Sequence, residues 1–267
     1  MKYGFLGAGN MAGAIIKGMV KSGIEVTDIF VFNTNMEKSY ALMKEFGIIA
    51  TTTQKDLFTL DVIILSVKPQ VLDKIIGSIK DDMGNRRPLI ISIAVGKTIV
   101  YLEAGLGEGT PIVRVMPNIN AKVLMSTSGY CTNSVVTKEQ AEVVENLFTT
   151  VGSVTKIPEE MFSIFGVIAG SSPAFAYLYI DVLARAAQRA GMAKKQALEI
   201  AANTVLGSAK MVLETSEHPW ALVDQVCSPG GTTIEGIYTL EENGFEATVV
   251  KAFDAVLAKD KAIQAKK

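Results

Sequence analysis

Gly4-Phe5-Leu6-Gly7-Ala8-Gly9-Asn10-Met11-Ala12 decides the fold. The apolar run Tyr3-Leu6 has the length and composition of a buried strand, and the G-x-G-x-x-A spacing from Gly7 to Ala12 carries it straight into a helix-length segment, Met11-Ser22. In that setting each position has a task. Gly7 allows the tight turn, Gly9 lets the backbone approach a pyrophosphate, and Ala12 is small enough for close helix-strand packing. The unpaired N–H groups at the start of the helix then face the phosphates. A glycine-rich turn without a ligand needs neither the strand before it nor the helix after it, so the context points to a dinucleotide-binding unit.

Working outward, short β-branched runs alternate with helix-length segments as far as residue 156. The strands read Tyr3-Leu6, Ile29-Asn33, Val62-Val67, Leu89-Ile93 and Ile112-Met116, with a last pair near Gly129-Thr132 and Ser153-Lys156; helices fill Met11-Ser22, Met36-Phe46, Val71-Lys80 and Lys138-Thr150. This is the pattern of a parallel sheet covered on both faces, an α/β fold of the Rossmann-type, doubly wound class. Beyond Pro158 the strand signals stop. Helical patterns cover Glu159-Ala190, Lys194-Glu214, Ala221-Val226, Thr232-Glu242 and Glu246-Ala262. The chain therefore divides into a dinucleotide-binding domain, 1–157, and an all-helical domain, 158–267. In the segment from Lys194, Leu198, Ala202, Val205, Leu206, Ala209, Val212 and Leu213 spread over more than one stripe, so that helix is buried on several sides. The helical domain is too small to supply all of that cover, which predicts a homo-oligomer with this domain at the interface.

Composition removes several alternatives. The 267 residues are 49% hydrophobic, enough for a core without disulfides or a structural metal. With 26 Lys+Arg against 27 Asp+Glu, the chain has no general pull toward nucleic acid or an anionic membrane. Cys131 and Cys227 stand far apart without Cys-x-x-Cys spacing, so no zinc cage or disulfide framework is expected, and a reducing cytoplasm fits. The single His218, within Glu217-His218-Pro219-Trp220, cannot build a multi-histidine metal site, and a His-centred triad is hard to assemble around it. Asn10 and Lys17 interrupt the apolar stretch Tyr3-Val20, against a signal peptide, and runs such as Leu89-Val95 fall far short of the roughly 20 residues that span a bilayer. The protein is expected to be soluble, and the Lys-rich tail Lys259-Lys267 reads as a solvated helix end.

Cofactor type is read where the second strand ends, Phe32-Asn33-Thr34-Asn35. An Asp or Glu there would bind the ribose 2′-hydroxyl of NAD. None is present, while Asn33 and Thr34 can donate to a 2′-phosphate and Lys38 follows one turn later, so NADP(H) is favoured with NAD(H) as the alternative. The same residues also make an ordinary polar turn. Three further strand ends, Ser66-Val67-Lys68-Pro69, Ser92-Ile93-Ala94-Val95-Gly96 and Arg114-Val115-Met116-Pro117-Asn118, lie at the carboxyl edge of the sheet and frame a place for the nicotinamide. Lys68 either neutralises phosphate or faces solvent. In the helical domain, Asp224-Gln225-Val226-Cys227-Ser228-Pro229-Gly230-Gly231-Thr232-Thr233-Ile234-Glu235-Gly236 reads as a turn into a helix whose first N–H groups and hydroxyls suit a small carboxylate. It reads equally as a helix-helix turn with threonine capping.

Taken together, the sequence resembles the pyrroline-5-carboxylate reductase family from end to end. The residues that carry the resemblance are Gly4 to Ala12, Val67-Lys68-Pro69-Gln70, Arg114 to Asn118, Ser171-Ser172-Pro173-Ala174-Phe175, Thr204 to Lys210 and above all Asp224 to Gly236. The resemblance implies reduction of 1-pyrroline-5-carboxylate to L-proline, with Leu6, Gly7, Ala8, Gly9, Asn10, Met11, Thr34, Gln54, Val67, Lys68 and Ala94 on the cofactor; Asn33 and Pro69 adjoin this set. It places the substrate carboxylate on Ser228 and the backbone of Gly230, Gly231 and Thr232, the ring nitrogen on Thr233 as the catalytic contact, and Glu159 close to the substrate. Gln225 would reach the cofactor of a neighbouring subunit, within dimers that can assemble into decamers. A protonated cyclic imine is already electrophilic, so a chain with one histidine can serve by positioning alone. This chain departs from the family at Ile119-Asn120-Ala121-Lys122, where Thr-Pro-Ala is usual, at Ser172, where Gly is usual, and at Gln54, where Asn is common. The competing activities are a β-hydroxyacid dehydrogenase with Lys210 as general acid, a reductase of another cyclic imine, and a nonenzymatic dinucleotide-binding regulator.

Overall fold

The computed structural model describes residues 1–264, so residues 265–267 of the Lys-rich tail lie outside the described residues. The chain forms two compact units, Met1–Gly170 and the residues from Ser171 onward. In the first, β1 (Tyr3–Leu6), α1 (Asn10–Lys21), β2 (Ile29–Phe32), α2 (Met36–Phe46), β3 (Ile49–Ala50), α3 (Gln54–Leu57) and β4 (Val62–Leu65) are followed by α4 (Pro69–Met83), β5 (Leu89–Ser92), α5 (Ile99–Leu106), β6 (Ile112–Met116), β7 (Ser126–Thr132), α6 (Lys138–Thr149) and β8 (Gly152–Lys156). The strands make one sheet in the order β3-β2-β1-β4-β5-β6-β7-β8. Winding runs outward from β1 in both directions, and the crevice this leaves at the carboxyl ends is where open α/β sheets take ligands.

Alternate residues of the central strands enter two different cores. Phe5, Ile64, Ile91 and Val113 pack under α1 and α6 with Ile15, Ile16 and Phe148. Leu6, Ile63, Ile90 and Ile112 pack on the other side with Leu72, Ile79 and Leu102 of α4 and α5. That period of two, apolar on both faces, is why these strands read as continuous hydrophobic runs.

The sheet is not parallel throughout, which corrects the parallel-sheet expectation at one seam. β7 runs antiparallel to β6, with Arg114 opposite Cys131. Their connection is a single 3₁₀ turn, Ile119–Val123. A parallel pairing needs a crossover of a dozen or more residues, so this link can only reverse the chain.

The helix expected from Glu159 to Ala190 is broken. A 3₁₀ turn (Glu159–Met161), α7 (Phe162–Phe165) and a π turn (Gly166–Ser171) precede α8 (Ser172–Arg189). Pro173 has no N–H to bond the Ala169 carbonyl one turn back. Asn118 Nδ2 donates to that carbonyl instead, at 2.9 Å. Phe162 is buried in the core under α4 and α5, so the first compact unit continues past the last strand.

The second unit holds α8, α9 (Lys194–Thr215), α10 (Pro219–Val226), α11 (Thr232–Glu242) and α12 (Phe245–Gln264). Its buried cluster consists of Ala184, Ala197 and Ala201. Large apolar side chains point outward instead: Leu206 is 58% and Leu213 80% exposed. The segment Glu159–Arg189 is also long and apolar enough, by length and composition, to cross a membrane. The sequence hides this because glycines and serines interrupt its apolar runs.

Candidate active site

The turn after β1 is built to stay open. Gly7 has φ 114, and a Cβ there would stand 2.7 Å from the Ser66 carbonyl oxygen. Gly7 N–H donates to the Phe32 carbonyl at 2.8 Å, and the Ser66 hydroxyl donates to the Gly7 carbonyl at 2.8 Å. Three strand ends thus fix the loop. A Cβ on Gly9, by contrast, would meet nothing within 4 Å, and α1 begins without a side-chain cap. Unobstructed space beside uncapped N–H groups is what a diphosphate needs.

The three strand ends singled out in the sequence border one cavity of about 330 Å³, lined by Gly9, Asn10 and Met11, by Val67, Lys68 and Pro69, by Ala94 and Val95, and by Arg114 to Pro117. A second cavity, about 590 Å³, opens beside Ala8, Gly9 and Asn10 and is lined by Lys17, Lys38, Lys68 and Lys122, with Glu45 as the acidic member.

Two of the residues expected at the cofactor are engaged elsewhere. The Asn33 amide accepts from Ala8 N–H at 3.2 Å and donates to the Asn35 carbonyl at 3.0 Å, tying the ends of β1 and β2 together. Gln54 turns to α4, donating to Asp82 at 2.7 Å and Ser78 at 3.1 Å. Thr34 is exposed.

Glu159 anchors the wall of the first cavity. Its Oε1 accepts from Arg114 Nη1 and from Ile99 N–H, each at 2.8 Å. The Arg114 guanidinium, almost fully buried, also lies 4.1 Å over the Phe162 ring. Close by, burial pushes the Cys131 thiol up to about 12, with the Glu159 charge adding to the rise.

In the second unit, α11 starts at Thr232 with Gly231 as an N-cap that offers no side chain. Gly231 N–H closes a turn onto the Ser228 carbonyl at 2.9 Å. A Cβ on Gly231 would fall 2.4 Å from Ser228 Oγ and 3.0 Å from the Ser228 carbonyl oxygen, so a side chain there would displace Ser228. Neither threonine caps α11 with its side chain. Gln225 donates to Glu217 at 2.6 Å.

Comparison with known proteins decides the assignment. A family model for pyrroline-5-carboxylate reductase dimerisation matches residues 159–263, and one for coenzyme F420-dependent NADP oxidoreductase matches residues 2–96. Pyrroline-5-carboxylate reductase of Escherichia coli K12 is 41% identical over 260 residues, covering 97% of this chain and 96% of that one. The chain belongs to the pyrroline-5-carboxylate reductase family. The solved pyrroline-5-carboxylate reductase of Coxiella burnetii superposes with a TM-score of 0.93 at 32% identity, covering 98% of this chain and 97% of that one. That of Plasmodium falciparum, solved with NADP bound, gives 0.86 at 30% identity, covering 99% and 98%.

Within this pyrroline-5-carboxylate reductase fold, sequence reading missed the partners of Glu159, the tie that Asn33 makes between β1 and β2, and the buried cation Lys97 on the β5–α5 turn. Glu159 and Arg114 are 45 positions apart, and no local pattern joins them. Among the described residues no group of three or more His, Cys, Asp or Glu side chains could hold a metal.

Proposed function

We propose that the chain reduces 1-pyrroline-5-carboxylate to L-proline with NAD(P)H, the last step of proline biosynthesis. The observation that carries this reading is a pair of uncapped helix starts in a member of this family, one behind the unobstructed Gly9 and one at Gly231-Thr232-Thr233. The reduced nicotinamide, when bound, supplies the hydride. The N–H groups of Gly7 to Met11 hold the diphosphate, and Val67, Lys68, Pro69 and Ala94 border the nicotinamide end. Leu6 and Asn33 set the loop beneath it. Gln54 would contribute to the adenosine end only by releasing Asp82.

NADP(H) is the preferred cofactor and NAD(H) the lesser one. No carboxylate closes β2 to repel a 2′-phosphate, Thr34 is exposed, and the adjoining cavity is lined by four lysines. For the substrate, Ser228 and the backbone N–H groups of Gly230 and Thr232 bind the carboxylate, Gly231 N–H joining them only by releasing the Ser228 carbonyl, while the Thr233 hydroxyl hydrogen-bonds the ring nitrogen and Glu159 lies near the imine. These contacts align a protonated imine that is already electrophilic, so the residues work by orientation.

Residues 1–157 carry the cofactor and 158–267 the substrate and the partner contact. The outward Leu206 and Leu213 of α9 and the apolar Glu159–Arg189 segment are covered by a second copy rather than by lipid, in a homodimer that can assemble further to a decamer. Gln225 reaches across it. The protein acts in the cytoplasm on a small imino acid, without nucleic acid or membrane as partner. The test is oxidation of NADPH and NADH with pyrroline-5-carboxylate, beside a 3-hydroxy acid and other cyclic imines. No turnover with the first substrate overturns the proposal.

A further inference from the structure

The turn from β5 into α5, Ala94-Val95-Gly96-Lys97-Thr98, carries one wall of the cavity bordered by Gly9, Val67 and Met116. Its own bonds are weak for that task. Lys97 N–H reaches the Ala94 carbonyl at 3.3 Å, Ala94 N–H reaches Ser92 Oγ at 3.4 Å, and Val95 at its tip is 62% exposed.

Two buried cations tie it down, Lys97 from within the turn and Arg114 of β6 through Glu159. Lys97 is 6% exposed, ion-paired with Asp73 of α4, and lies 4.3 Å over the Tyr101 ring of α5. Tyr101 Oη donates to the same Asp73 carboxylate at 2.6 Å. On the other flank, Arg114 is also 6% exposed, paired with Glu159 and stacked on Phe162, and Glu159 holds Ile99 N–H where the turn becomes α5. Burying a cation forfeits its hydration, and apolar residues of similar volume commonly stabilise a fold as well or better. Stability alone therefore does not account for two paired, ring-stacked cations at this turn, one within it and one joined to it through Glu159; a fixed geometry does.

We infer that Lys97 and Arg114 are positioning residues, clamping the Ala94–Ile99 segment from two sides so that it stands as a rigid wall against the nicotinamide. The inference rests on the cofactor reading above, which it deepens by assigning Lys97 to the nicotinamide end only. Neither cation donates to the reacting atoms in this role; each acts through the backbone it holds.

The test compares two ligands that differ by the nicotinamide: NADPH, and 2′-phospho-ADP-ribose, which lacks that ring. Lys97→Met removes the clamp from its buried side. Asp73→Asn weakens it from the half-exposed carboxylate side, and keeps the test open if the first variant does not fold. In both, NADPH affinity and kcat should fall about tenfold, with KM for pyrroline-5-carboxylate unchanged and 2′-phospho-ADP-ribose binding within about twofold of wild type. Equal losses for both ligands, or no loss for either, overturn the inference, because a general loosening of the fold cannot single out the nicotinamide. A wild-type protein that turns over no pyrroline-5-carboxylate overturns the proposed function itself.

Discussion

Removing Glu159 should destabilise the protein far more than removing its partner Arg114. In Glu159→Ala the Arg114 guanidinium, whose side chain is 7% exposed, loses the carboxylate it pairs with, the only one within 4 Å among the described residues. Breaking a buried pair this way costs about 3–5 kcal/mol, because the orphaned charge stays out of water. Stacking on Phe162 at 4.1 Å is present in both proteins and offsets none of this, while Ile99 N–H loses its acceptor for about 1 kcal/mol more. The net expectation is about 4–6 kcal/mol.

Arg114→Met leaves a different orphan. The Glu159 side chain is 29% exposed, so its carboxylate rehydrates and keeps Ile99 N–H; the cost is about 1–2 kcal/mol. The double variant strands no charge and should lie above Glu159→Ala by about 1 kcal/mol, giving a non-additive cycle. Urea titrations followed by far-ultraviolet circular dichroism, without ligands, measure all four proteins. Equal costs for the two single variants, or costs that simply add, would refute the asymmetry and the burial argument behind it.

Other consequences are as direct. Thr233→Ala should lower the rate of proline formation tenfold or more with an unchanged circular dichroism spectrum; an unchanged rate removes Thr233 from its role. Gly231→Ala must move Ser228 Oγ, 2.4 Å from the new Cβ, and should raise KM for pyrroline-5-carboxylate while leaving NADPH binding intact in a titration of cofactor fluorescence. With its thiol pushed up to about 12, Cys131 should resist iodoacetamide at pH 8 in the native protein and react after denaturation, as mass spectrometry can follow. The same shift favours the protonated thiol in the folded state. Its stabilising effect is complete below the unfolded value of about 8.5 and declines as pH rises toward 12, so urea midpoints should fall through that window.

Much of this molecule was legible because its central strands are buried on both faces. Runs such as Val62-Ile63-Ile64-Leu65 announce themselves without any partner in view. α5 escaped notice because Ile99-Val100-Tyr101-Leu102 carries no polar face to reveal a helical period. β3, two residues long, gives no alternation at all. The reversal at β7 followed from the length of the loop before it, a signal present in the sequence. The break before α8 depended on Pro173 together with Asn118, which lies far away in the chain. At the site, the glycine loop and the Ser228–Thr233 turn were readable as local patterns. The clamps on the β5–α5 turn were not, since Lys97 looks like any surface lysine until Asp73 and Tyr101 close around it.

Gly7 and Gly9 are held in place by different kinds of selection. The fold itself punishes a side chain at Gly7, where a Cβ would strike the Ser66 backbone; nothing in the fold does so at Gly9. A screen for thermal stability would therefore detect changes at Gly7 and pass over Gly9→Ala, whose backbone angles any residue can adopt. On the proposed function, that substitution is expected to give a folded protein with weakened cofactor binding, with which subunit assembly can be studied apart from ligand occupancy.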